Sequence, residues 1–474
     1  MQIGIWVGDA TVHGVALDGD VVAGYAEAAA AVPATGIRSV LTDLVRIAGP
    51  PAAVAYGVDG LLREALQRHT NGRPAVALLQ IRPRWPAEPA FSLPAIRLPR
   101  TMIRHFDHAA GGHDIFGSTM MPLDLDAVGR AARRWVADGA GAVAVAAAGS
   151  LVCPDHELEV AEYLSAGFPE LAVWLSHECS GHGLMVREAV TVLQAVLAAD
   201  GARLADRLDQ LTAAVRPGLG SRVMTSDGGR ITTERMRNMP LSAVGTDCAA
   251  LLIGSGLAAG TDTLTVLAVC DGLVRVGRLA GGLPEVAADL PIARDVNPAR
   301  ITTWEVTLPM GELDTRRGAW SEALAGAVVA VVDDGPAAAP AELSEVVRFV
   351  RTCSPAELLV QRDSGRMRAT AVAGCEPVIR VQRVAIASTP GQLQAEINRT
   401  ADRAFSLLAA SGGAPGTERV VDVRAAAMRY LLGDTYRLQL RATARALTDH
   451  RPEPEGSKTN HQRHAPLNPG RGPA

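Results

Sequence analysis

Apolar and polar side chains alternate through residues 3–30 around two tight turns, the second at Asp18-Gly19-Asp20. A period of two predicts strands. Ile37, Val40, Leu41, Leu44 and Val45 then recur at helical spacing between Gly36 and Ile47. "AVAYGVDGLLREALQRH" predicts a short strand, a turn and a helix from about Gly60 to His69, and "RPAVALLQI" a buried strand. The Pro-rich stretch Pro83–Pro99 predicts a surface excursion.

From Pro122 the pattern alternates between the two periods. "PLDLDAVGRAARRWVADGA" predicts a helix capped by Asp124 or Asp126 and stopped at Gly139. Next come a buried strand ("GAVAVAAAGSLV"), a helix with Pro154 at its start, a strand ("LAVWLSHE") and one or two helices over Glu188–Gln210. "SRVMTSDGG" predicts a strand ending in a Gly-Gly turn, Cys248–Leu257 a helix, and "TLTVLAVCDGLVRVGRLAGGLP" strand, turn, strand. Alternating strands and helices imply an α/β fold with mostly parallel central strands. Beyond Pro284, Thr302–Leu308 and Arg366–Ala387 predict strands, Asp333–Leu343 a linker, Gln392–Ala410 a helix, and "VVDVRAAAMRYLLGDTYRLQLRA" a hairpin. From about His450 the chain is polar and Pro-rich without apolar period, so a disordered tail is expected.

Composition narrows the function. At 474 residues, about two to four structural units are expected. A net charge of −4 gives no reason to expect a nucleic acid or an anionic membrane as partner. No basic segment followed by an apolar run marks a leader, and the small-apolar run Gly139–Cys153 is too short to span a bilayer, so a cytoplasmic protein is expected. The six cysteines form no Cys-x-x-Cys pair and are expected as buried free thiols. Ala, Gly, Pro and Arg are abundant, a skew typical of a GC-rich bacterial genome. Lys458, in the tail, is the only lysine, which leaves none in the folded region to grip a phosphate.

Five segments, in order, carry a resemblance. "PLDLDAVGRAARRWVADGAGAVAVAAAGSLVCPDHELEVAEYL", "LSHE" (Leu175–Glu178), "VTVLQA" (Val190–Ala195), "VMTSDGG" (Val223–Gly229) and "MRYLLGDTYRLQL" resemble the hydantoinase A / 5-oxoprolinase family, relatives of the acetone carboxylase β subunit. The similarity covers roughly residues 1–285. The resemblance implies an actin/hexokinase-like fold of two ribonuclease-H-like lobes, with nucleotide between them. It also implies hydrolysis of cyclic amides such as hydantoins or 5-oxoproline, often with ATP, and often beside a hydantoinase B subunit. The regions it implies are 1–175 (hydantoinase/oxoprolinase N-terminal-like), 176–285 (ATPase-like), 286–445 (a divergent α/β region closing in a family-like hairpin) and the tail 446–474.

The family's phosphate loops have the form Asp-x-Gly-Gly-Thr-x-Thr-Asp. Their backbone N–H groups and hydroxyls hold phosphate oxygens, and their carboxylates hold Mg²⁺ or its waters. The first copy here is Trp6-Val7-Gly8-Asp9-Ala10-Thr11-Val12-His13, with only Gly8 and a displaced Thr11 remaining. The second is Ala268-Val269-Cys270-Asp271-Gly272-Leu273-Val274-Arg275. The helix start written Ser-Gly-Pro-Ala-Ala-Gly in the family reads Val244-Gly245-Thr246-Asp247-Cys248-Ala249. All four loop-end carboxylates are gone and Asp9 and Asp247 add charge. Gly8, Thr11, Gly245 and Gly272 are therefore remnants of a cofactor site, and no cofactor is expected.

Two further clusters remain. His105, Asp107, His108, His113 and Asp114 carry metal-binding side chains, but their spacing fits no standard ligand set, and a solvated turn is expected. "SHECSGH" places His177, Glu178, Cys179 and His182 together. His177 and Glu178 follow the family at a strand end, Asp227 replaces a family Asn, and Arg187 matches a family Arg. The function expected is an auxiliary or small-molecule-binding relative, working with a hydantoinase B-like subunit or as a homo-oligomer. The alternative is an ATP-independent hydrolase of a cyclic amide using His177, Glu178 and Asp227.

Overall fold

The computed structural model describes residues 1–70, 72, 76–83, 102–179, 183–285, 304–313, 324, 328–334, 340–354, 356–428 and 434–446. Strands β1 (Gln2–Val7), β2 (Thr11–Asp18) and β3 (Val21–Ala29) form an antiparallel meander. Helix α1 (Pro33–Ala48) buries Ile37, Val40, Leu41 and Leu44 against it and returns the chain to β4 (Ala53–Gly57), parallel to β1. Helix α2 (Asp59–Thr70) follows. An all-parallel sheet is then inserted: β5 (Val76–Ile81), β6 (Ile103–Ala109), β7 (Ala142–Ala147) and β8 (Ala172–Leu175), in the order β6-β5-β7-β8. Its helices are α3 (Leu125–Ala137), N-capped by Asp124, and α4 (Asp155–Gly167).

A single 32-residue helix, α5 (Leu184–Val215), covers the stretch Glu188–Gln210 where one or two helices are expected, and leads back to the first sheet. There β9 (Ser221–Met224) pairs parallel with β4, and β10 (Arg230–Thr232) closes the edge, giving β10-β9-β4-β1-β2-β3. The short α6 (Thr233–Asn238) and α7 (Thr246–Ala259) lead to another sheet. It contains β11 (Leu264–Cys270), β12 (Leu273–Ala280), β13 (Leu283–Pro284), β14 (Trp304–Pro309), β15 (Val328–Asp333) and β16 (Glu357–Gln361), with α8 (Pro340–Cys353) between the last two. β12 is antiparallel to β11 and β14 to β12, whereas β15 and β16 extend β11 in parallel. The meander-then-parallel order β3-β2-β1-β4-β9 is thus repeated as β14-β12-β11-β15-β16.

Helix α9 (Ser364–Gly374) corrects one expectation. Residues 366–374 are not strand; Asp363 caps this helix by accepting from the Arg366 N–H. It packs on β1, β2, β4 and α7 and buries Met367, Arg368, Ala369, Ala371, Val372 and Ala373. A helix covered on most sides shows no apolar stripe. Its approach to β1 is so close that a Cβ on Gly4 would lie 2.2 Å from the Ala373 nitrogen. Likewise Asp333 ends β15 and α8 starts at Pro340, so both ends of the expected linker are ordered structure; residues 335–339 lie outside the described residues.

A three-stranded antiparallel sheet closes the chain: β17 (Val378–Ile386), β18 (Arg419–Ala427) and β19 (Thr435–Thr443), in the order β17-β19-β18. It is backed by α10 (Pro390–Ala410). The final hairpin is therefore β18–β19, although residues 429–433 of its turn, most of the Pro83–Pro99 excursion, His182 and the tail from 447 lie outside the described residues. All six cysteines are free, but only Cys179 and Cys375 are buried. Among the described residues, no helix is long and apolar enough to cross a membrane.

Candidate functional site

The two predicted loops occupy corresponding places. Trp6 pairs with His13 across β1–β2, and Ala268 pairs with Arg275 across β11–β12, so each eight-residue window begins and ends on a paired position. The first turn is closed by the Gly8 N–H donating to the Thr11 carbonyl (3.0 Å). In the second, Asp271 and Gly272 both take left-handed backbone angles, the two-residue hairpin geometry that matches strand twist. The Gly272 carbonyl accepts from Met310.

Trp6 is 6% exposed. Its ring lies against the Cα of Gly57, where an added Cβ would come within 2.3 Å of the indole. Over the ring stands Arg368 of α9, its guanidinium carbon 5.6 Å from the centroid, within cation–π range. Arg368 ion-pairs with Asp334, just past β15 (2.7 Å), and with Asp247, in the first turn of α7 (2.8 Å). Burial alone would lower the Arg368 pKa, but these two carboxylates outweigh it and hold the guanidinium charged. Arg275 lies 3.6 Å from the other oxygen of Asp247.

Asp59, buried at the start of α2, accepts from the Gly245 N–H (2.6 Å) and pairs with Arg63. Burial raises its pKa, opposed by Arg63 and the Gly245 bond. The Gly8 and Gly245 N–H groups, which the resemblance would aim at a phosphate, are thus both engaged within the protein. Asp59 and Asp334 hold matching places: each follows the strand that runs parallel to the first strand of its sheet. Sequence reasoning missed both. The signal available was a carboxylate directly behind an apolar run, in "AVAYGVDG" and "VVAVVDDG".

The three residues expected to be catalytic have separate surroundings. His177 follows β8 in a 3₁₀ turn, its Nδ1 2.8 Å from Oε2 of Glu157. Glu157, fully buried in α4, also accepts from the N–H groups of Ala147 and His177 and from the Ser176 hydroxyl. Burial would raise its pKa, but these bonds, led by that of His177, hold it below the ordinary carboxylate value. Arg187 is 4% exposed nearby and, among the described residues, donates to the Ala147 carbonyl and Ser150 Oγ, each at 3.4 Å. This group lies at the carboxyl ends of β7 and β8, where open parallel sheets bind ligands. Glu178 makes no hydrogen bond to His177 among the described residues and lies near Arg235. Asp227 sits in the β9–β10 turn, accepting from the Thr225 hydroxyl and the Gly229 N–H, and faces Arg380 and Arg441. Glu157 is the partner of His177 that the sequence did not show.

The His105–Asp114 cluster is not one turn. His105, Asp107 and His108 lie on β6, where Asp107 accepts from Trp135 and Arg134 and His105 faces Asp138. His113 packs against His156 with its ring tilted by 41°. No group of three or more metal-ligating side chains occurs among the described residues.

Comparison with known proteins agrees with this architecture. No curated protein matches in sequence. An acetone carboxylase in a nucleotide-free structure shares the fold with a TM-score of 0.58 at 13% identity, covering 97% of this chain and 90% of that one. An ATP-dependent caprolactamase from Pseudomonas jessenii does so with a TM-score of 0.66 at 14% identity, covering 97% of this chain and 89% of that one. Residues 3–167 match the hydantoinase/oxoprolinase N-terminal region. That region, about the first third of the chain, is what the sequence shares with the hydantoinase/oxoprolinase family.

Proposed function

We propose that the chain is a hydantoinase/oxoprolinase relative that keeps two actin/hexokinase-like lobes and has given up nucleotide hydrolysis, serving as an auxiliary, small-molecule-binding partner of a hydantoinase B-type subunit. The repeated sheet order supports the two lobes. The observation that carries the rest is Arg368, held by Asp247 and Asp334 over Trp6. A Mg²⁺–phosphate site needs free carboxylates and free N–H donors. Here the carboxylates are neutralised by an internal cation and the strand-end positions are Trp6 and Ala268. These residues do not fit ATP·Mg²⁺. The test is a thermal melt with ATP·Mg²⁺: a ligand at 100 times its Kd stabilises by about 2.7 kcal/mol. No shift is expected, and a Mg²⁺-dependent rise would overturn the reading. Co-purification with a co-expressed hydantoinase B-type protein tests the partner.

One observation favours the second reading, an ATP-independent cyclic-amide hydrolase: the Glu157–His177 pair. A buried carboxylate on Nδ1 orients a histidine base. His177 would take a proton from water, hydroxide would add to the ring carbonyl, the C–N bond would break, and the proton would pass to the leaving nitrogen. His177→Ala should then lower hydantoin or 5-oxoproline turnover by about 10²–10⁴-fold. Turnover unaffected by that change, or absent altogether, removes this reading.

A further inference from the structure

The last sheet has one apolar face, with Ile379, Val381, Leu438 and Leu440 on α10. Its other face carries charge. Arg380 on β17 stands directly opposite Arg441 on β19, and Arg441 opposite Asp422 on β18; one step along are Gln439 and Arg424. These residues line a cavity of about 240 Å³ together with Ala280 and Gly281 at the β12–β13 turn and Glu285 just after β13.

Like charges directly opposite on adjacent strands destabilise a sheet. Burial disfavours the charged form of both arginines, and the carboxylate that offsets it most for each, Asp227, already accepts two hydrogen bonds. Arg424 is paired with Asp422 (3.1 Å), and Arg441 donates to the Pro284 carbonyl (2.7 Å) while its Nε is buried without a partner. The Arg380 side chain makes no hydrogen bond or ion pair among the described residues. The cavity lining thus sets three guanidiniums against two carboxylates.

We propose that Arg380, Arg441 and Arg424 form a binding site for a small dianion, either inorganic phosphate or a short dicarboxylate. Guanidinium forks match the oxygens of both. The volume is below the roughly 300–1,000 Å³ of pockets for drug-sized ligands, which suits a small anion. The site gives the binding role proposed above a ligand class and rests on that reading only for its biological purpose. It lies apart from Trp6 and Arg368, so failure of either proposal is read separately.

The experiment is calorimetric titration and thermal melting of the full chain with phosphate and, separately, succinate, against KCl of equal ionic strength. Saturable binding of one or both, beyond the KCl response, is expected, and the two arms identify the chemistry. Arg380→Gln should raise the melting temperature of the ligand-free protein, because a repulsion is removed, yet weaken the anion at least about tenfold, or about 1.4 kcal/mol. Arg380→Lys, which keeps the charge and loses the fork, should fold and also weaken binding. A response no greater than that to KCl overturns the site. So does an Arg380→Gln protein that is less stable without anion and still binds it, since a merely structural arginine behaves in that way.

Discussion

The guanidinium of Arg368 stands 5.6 Å above the ring of Trp6, so a residue from the C-terminal half of the chain covers the end of its first strand. Trp6 also fills the space beside Gly57. Trp6→Ala opens that space and is expected to cost about 3–5 kcal/mol, read from the urea midpoint. A loss below about 1 kcal/mol would show that the indole is not a packing element. Trp6→Asp restores a carboxylate in form only: Arg368 already has two, and the variant should be less stable and still unresponsive to ATP·Mg²⁺.

Arg368 and Asp334 are both nearly buried, at 6% and 4% side-chain exposure. Removing one partner strands the other. Arg368→Met leaves Asp334 without its cation and is expected to cost about 3–5 kcal/mol. Arg275 still neutralises part of Asp247. Adding Asp334→Asn to Arg368→Met should recover most of the loss, and the double-mutant cycle measures the coupling. Additive losses would mean that the pair is not a unit.

Much of the fold was readable because each element carried its own period. The β1–β2 hairpin showed alternation, the β11–β12 hairpin an apolar run before its turn, and α1 and α3 clear apolar faces, α3 with its Asp124 cap. Helix α9 was not readable, because contact with β1, β2 and α7 erases the stripe that marks a half-exposed helix. The site was readable only in its deletions. Missing carboxylates at Trp6 and Ala268 could be seen in the chain. Their replacement by an Arg368–Asp247–Asp334 cluster could not, because those residues meet only in three dimensions. Glu157 was hidden for the same reason: it lies in the first turn of α4, and its partner His177 comes after the next strand.

The close approach of α9 to β1 makes a glycine essential. Added carbon on Gly4 meets backbone, the Ala373 nitrogen at 2.2 Å and the Ala369 carbonyl at 2.3 Å, neither of which can rotate away. Gly4→Ala must push the helix off the sheet and move Arg368 from Trp6. Overpacking of this kind costs about 1–3 kcal/mol, occasionally more. The loss should appear with a change in tryptophan fluorescence. An Ala variant with native stability and spectrum would contradict the packing.

Two buried carboxylates should respond to pH with opposite sign. Glu157 is held below its ordinary value of 4.5, so the folded state binds its proton less readily than the unfolded state does. Its stabilising contribution is present above pH 4.5 and lost as pH falls through the folded value. Glu157→Gln is therefore expected to cost about 1.5–3 kcal/mol at neutral pH, with the gap from wild type closing in acid. Asp59 is raised above 3.8 by burial, against Arg63 and the Gly245 N–H. Its contribution is present below pH 3.8 and lost as pH rises through the folded value. Asp59→Asn keeps an acceptor for Gly245 and should be at least as stable as wild type at neutral pH, with its advantage vanishing in acid. Urea unfolding of both variants from about pH 3 to pH 7 checks the pair. Parallel curves for the two would contradict the opposite environments of α2 and α4.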